Sequence, residues 1–134
     1  MKKDISFAPV DKVYVAIVPE KTELDETIWN AWLINTNDVK LTNVFVTSKG
    51  YSTEGNQKQE TSVLRQHFPE LEPNQHVQIE LVNPAVFRLA NEYWVSYYIG
   101  QQIFDKKFIF MPETIIEDNL IFIPQLNQKG ILHS

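Results

Sequence analysis

His76-Val77-Gln78-Ile79-Glu80-Leu81-Val82 alternates polar and apolar residues without a break. Successive side chains of a strand point to opposite faces. The stretch therefore predicts a strand with Val77, Ile79 and Leu81 turned inward and His76, Gln78 and Glu80 turned to solvent. Leu71-Glu72-Pro73-Asn74-Gln75 leads into it as a turn. Outward from this point the apolar segments stay short, rich in β-branched and aromatic residues, and bounded by turn chemistry, which is the pattern of an all-β chain. Upstream, Val13, Val15 and Ile17 alternate with Tyr14 and Ala16, a second strand runs from Ile28 to Asn35, and a third from Leu41 to Ser48 follows the Asn37-Asp38 turn. Thr61 to Phe68 fits either a strand or a single helical turn and is taken as a strand, and Tyr51 to Gln59 reads as a polar loop. Downstream, Pro84 opens one or two helical turns over Ala85 to Ala90. Glu92 to Ile99 and Ile103 to Phe110 then form a hairpin across Gly100-Gln101-Gln102.

Seven such strands with short connections predict a two-sheet antiparallel sandwich. The expected organisation is a lead-in over 1–10, a sandwich over 11–110, and a C-terminal extension over 111–134 that packs on or beside it. A chain of 134 residues without cysteine is long enough to bury a core with no disulfide or metal staple.

Asn35-Thr36-Asn37-Asp38-Val39-Lys40-Leu41-Thr42-Asn43-Val44 resembles the turn of bacterial immunoglobulin-like and fibronectin-like domains, where an apolar strand ends in an Asn-rich turn and re-enters as Leu-x-Asn-Val. Leu71-x-Pro73 ahead of an alternating strand, and the terminal hairpin from Tyr93 to Phe110, resemble the same domains. The likeness covers residues 10–110 and implies an immunoglobulin-like sandwich. Asn91-Glu92-Tyr93-Trp94-Val95-Ser96-Tyr97-Tyr98, with Phe104-Asp105-Lys106-Lys107, also resembles a family of small uncharacterised bacterial proteins. No activity travels with that likeness. Some members of that family carry a phenylalanyl-tRNA synthetase label. A class II synthetase core resembles an antiparallel sheet with one ATP-gripping Arg and a second Arg on a Gly-rich strand. Here Arg65 and Arg88 have no glycine nearby, so synthetase activity is not expected.

The composition excludes further classes. Net charge is −5 and the longest basic runs are Lys2-Lys3 and Lys106-Lys107, which leaves no patch for a phosphate backbone, so no nucleic-acid partner is expected. No apolar run reaches the ~18 residues of a transmembrane helix, and Met1 to Pro9 lacks the apolar stretch of a secretory signal. The expectation is a cytoplasmic protein with no membrane partner. Gly50, Gly55, Gly100 and Gly130 are isolated, so neither a P-loop nor a dinucleotide fingerprint exists. His67, His76 and His133 lack metal-ligand spacing. The nearest pair, His76 with Glu80, would stand about 13 Å apart along a strand. Ser62 with His67 is the one sequence-local nucleophile and base pair. Asp25 with Glu26, and Glu117 with Asp118, sit in polar loops where carboxylates keep ordinary acidity. The reading is a non-enzyme with no cofactor and no metal.

What remains is aromatic surplus, with 3 Trp, 5 Tyr and 8 Phe. In the second strand Trp29, Ala31 and Leu33 occupy one face, and Ile28, Trp32 and Ile34 the other. In the sixth, Tyr93, Val95, Tyr97 and Ile99 oppose Trp94 and Tyr98. Strands apolar on both faces need a cover on the outside. Two covers are available, the C-terminal segment with Ile115, Ile116 and Leu120-Ile121-Phe122-Ile123, or a second protein molecule. The candidate interaction face is Trp32, Ile34, Phe45, Trp94 and Tyr98, serving a homo-oligomer contact or an unidentified protein partner. An aromatic platform stacking on sugar rings, with Asn30 and Ser96 as polar flanks, is the alternative.

Overall fold

The computed structural model describes residues 8–52 and 59–134, so residues 1–7 of the expected lead-in and most of the Tyr51 to Gln59 loop lie outside the described residues. Nine strands are present among those described: β1 (Val13–Lys21), β2 (Thr27–Asn35), β3 (Leu41–Tyr51), β4 (Leu64–Leu71), β5 (His76–Val82), β6 (Ala90–Ile99), β7 (Gln102–Phe110), β8 (Ile121–Ile123) and β9 (Gln128–His133). They build two antiparallel sheets, ordered β5-β2-β1-β9-β8 and β4-β3-β6-β7. The chain is an all-β two-sheet sandwich, with two strands more than the seven expected. Both come from residues 121–133, where Pro124 and Asn127 punctuate the sequence and β8 has only three residues, too few for an alternation to show. The helical turns expected over Ala85 to Ala90 are a 3-10 turn, Pro84–Arg88, opened by the Asn83 side chain, which accepts from the Ala85 N–H at 2.9 Å. No helix among the described residues is long and apolar enough to cross a membrane.

The core lies between the sheets, with Val15, Ile17 and Leu33 from one and Val44, Val46, Val95, Tyr97 and Phe108 from the other, all buried. One buried amide fastens its end. Asn35, at the last position of β2, donates through Nδ2 to the carbonyls of Val39 (3.0 Å), Leu71 (3.3 Å) and Glu72 (3.1 Å) and accepts from the Asn37 backbone N–H at 2.9 Å. It ties the β2–β3 turn to the β4–β5 turn, saturating carbonyls that burial would otherwise leave unpaired.

Two bulges reset which side chains face out. Between β3 and β6 the pairing steps from Thr42–Tyr98 to Phe45–Ser96, with Asn43 at φ +47°. Asparagine tolerates that left-handed conformation better than most residues. Between β2 and β5 the register slips at Ala31/Trp32, so Glu80 opposes Ala31 and Gln78 opposes Trp32. A one-residue slip exchanges the faces. Leu81, expected inward, is therefore 62% exposed, whereas Val82 is buried and Glu80 turns toward Tyr93.

Candidate interaction face

The five residues expected to form one face are divided between the two outer surfaces of the sandwich. Trp32 and Ile34 stand on the five-stranded sheet, Phe45, Trp94 and Tyr98 on the four-stranded one.

On the five-stranded side the chain covers itself. Strand β9 pairs with β1, β8 pairs with β9, and the turn between them returns Ile123 and Leu126 onto Ala16, Val18, Ile34 and Trp32. Ile34 is 1% exposed and Trp32 half-buried, its indole edge-on to the His76 ring at 5.3 Å. Ile34 is therefore a core residue of this satellite cluster rather than part of an open face. The pairing of β9 with β1 is non-local, so nothing in the sequence near Ile34 marks its cover.

On the four-stranded side no hydrophobic cluster among the described residues covers Phe45, Trp94 and Tyr98. Antiparallel partners share a face, so the register of β4, β3, β6 and β7 lays the outer residues out in rows. Arg65, Thr47, Trp94 and Lys107 make one row; His67, Phe45, Ser96 and Asp105 make the next; Tyr98 with Ile103 follows. Phe45 is 49% exposed, Trp94 44% and Tyr98 37%. Two of these rings are held in place. Phe45 stacks on His67 with centroids 4.5 Å apart and planes 20° apart. Trp94 Nε1 donates to Asp105 Oδ1 at 2.7 Å, and the Lys107 ammonium stands 4.7 Å from the centre of the Trp94 ring. The ion pairs among the described residues are Lys21–Asp25 and Lys40–Glu70, so neither Arg65 nor Lys107 is neutralised by a carboxylate. Asp105 and Lys107 alternate with Phe104 and Phe108 along β7, so strand parity alone sets them on the face opposite those rings. It gave no signal for Arg65 and His67, whose place beside Thr47 and Phe45 depends on the β3–β4 pairing.

The remaining candidates are kept apart. A cleft of about 240 Å³ opens where the ends of β3 and β5 meet the start of β6, lined by Ser48, Ser62, Glu80, Asn83, Asn91 and Tyr93 among others. Ser62 lies at this cleft while His67 stacks on Phe45 on the outer face. His76 faces Trp32 outside the sheet and Glu80 faces Tyr93 inside it. The Tyr93 hydroxyl is pushed well above the usual tyrosine range, first by burial and then by the Glu80 carboxylate beside it. No group of three or more metal-ligating side chains occurs among the described residues.

No family model, curated protein or solved structure matches this chain.

Proposed function

We propose that this chain is a non-catalytic interaction module of the immunoglobulin-like kind that self-associates through the outer face of the β4-β3-β6-β7 sheet. The strand order supports the immunoglobulin-like part. With β1 to β7 taken as strands A, B, C, C′, E, F and G, the sheets become E-B-A and C′-C-F-G, and β9 and β8 extend the first beyond A.

One observation carries the functional part. Of two apolar outer faces, the chain closes one with its own C-terminal hairpin and leaves three aromatic side chains open on the other. Trp, Tyr, Phe and Arg are the residue types enriched in interface cores. Phe45 is already stacked and Trp94 already hydrogen-bonded, so docking on them costs little rotamer freedom. A sugar platform needs free ring faces, and Lys107 and His67 each take one. That favours a protein partner over a glycan.

Sedimentation velocity from about 10 µM to about 1 mM, the range of weak association, tests the reading. The wild-type weight-average mass is expected to rise with concentration, and that of Phe45→Ser to stay at the monomer. A wild-type chain that remains monomeric throughout overturns the proposal.

A further inference from the structure

Resting on that self-association reading, we propose that the occupant of the aromatic face is the β1–β2 turn of a second copy, residues 22–26, docked head to tail. This turn is built to be presented. The Thr22 N–H donates to the Glu26 carbonyl (2.8 Å), the Asp25 N–H to the Thr22 carbonyl (3.0 Å) and the Glu26 N–H to the Thr22 hydroxyl (3.2 Å). Its tip carries Leu24, 82% exposed and the most exposed large apolar side chain among the described residues. Ordering an apolar side chain on a rigid turn in open water gives the isolated monomer nothing. It pre-pays the ordering cost of a contact.

Charge selects the match. Leu24 is flanked by Glu23, Asp25 and Glu26, and among the described residues only Asp25 of these forms an ion pair, with Lys21 at 3.8 Å, an exposed pair that holds little. The face carries the opposite sign in Arg65 and Lys107, with Lys49 in the row beyond; of its carboxylates, Asp105 is engaged by the Trp94 N–H, Glu70 pairs with Lys40, and Glu92 lies directly across from Lys49. Arg65 and Lys107 end one row of four strands, about 14 Å apart at the usual strand spacing. That span seats one turn with Leu24 against the exposed edges of the Trp94 and Phe45 rings, one face of each being taken by Lys107 and His67, and its carboxylates toward the two cations.

Turn and face are different patches, so the contact is heterologous and each copy uses both halves. A turn against a sheet buries less than the ~1,200 Å² of a stable complex, so the association is transient. It also weakens as salt shortens the reach of the charges.

The test is sedimentation velocity on three proteins: wild type, Leu24→Ser, and Arg65→Glu with Lys107→Glu. Circular dichroism checks folding, and Arg65→Glu alone replaces the double variant if that one unfolds. Wild type is expected to associate without an upper limit in size, each variant to stay monomeric, and the equimolar mixture of the two variants to form a species of twice the monomer mass and nothing larger. Only a head-to-tail contact lets two such half-defective chains complement each other once. If the face variant is monomeric and Leu24→Ser associates like wild type, the turn is not the occupant while self-association through the face stands. If the mixture stays monomeric, head-to-tail docking is overturned. If wild type never associates, both readings fall.

Discussion

Ile123 closes over Gly130 onto Val18: a β-carbon on Gly130 would stand 2.7 Å from Val18 Cγ2, 3.0 Å from Ile123 Cδ1 and 3.1 Å from the Ile17 carbonyl. The missing side chain is what lets the β8–β9 hairpin lie down on the outer face of the five-stranded sheet. Through this contact the two outer surfaces of the sandwich acquire different fates.

Gly130→Ala forces a methyl against a backbone carbonyl and two packed side chains. Overpacking of this kind costs about 1–3 kcal/mol. Urea unfolding followed by circular dichroism is expected to show a lowered midpoint, with Trp32 more open to a collisional quencher as the hairpin lifts. An unchanged midpoint and unchanged quenching would show that the hairpin does not depend on this close approach.

Asn35→Ala removes the amide that serves three carbonyls, two of them at the β4–β5 turn. Leaving buried acceptors unpaired costs about 3 kcal/mol in total, read from the same urea curves. A loss below about 0.5 kcal/mol, the size of an ordinary surface substitution, would mean that water replaces the amide freely.

The pH dependence follows from two buried tyrosines. Burial, and next the Glu80 carboxylate, raise the Tyr93 hydroxyl well above the usual range; burial, and next Asp11, do the same to Tyr97. In the unfolded chain both ionise near pH ~10. The folded state thus holds its protons longer, so this stabilisation is complete below about pH 10 and is lost as pH rises above it. The urea midpoint is expected to be level up to that point and to fall beyond it. Tyrosinate absorbance should show Tyr93 and Tyr97 ionising only as the fold is lost. Ionisation of all five tyrosines near their ordinary value with the fold intact would contradict this.

The sequence reading reached the strands from β1 to β7 because most have their own alternation or turn, and these signals are local; β4, whose pattern over Thr61 to Phe68 also fits a helical turn, lies three residues later, at Leu64–Leu71. It missed what depends on pairing. Nothing within His76 to Val82 announces the slip against β2 that turns Leu81 outward, since the bulge is a property of two strands together. The short apolar run Leu120 to Ile123 showed that something lay there. Only its pairing with β9, and that of β9 with β1, places Ile123 on Val18 and buries Ile34. Parity found Trp94 and Tyr98 opposite the inward set of their strand, yet the expected face joined them and Phe45 to Trp32 and Ile34, because parity tells inside from outside and not one sheet from the other.

Two-dimensional amide NMR spectra on dilution from about 1 mM to about 10 µM, across the range of weak binding, report the face residue by residue. Concentration-dependent shifts are expected at Phe45, Thr47, Ser96 and the Trp94 indole N–H, with matching shifts in residues 22–26, and none around Ile34 and Ile123. Spectra that superimpose at every concentration, or shifts confined to the five-stranded sheet, would contradict the assignment of this face as the contact surface.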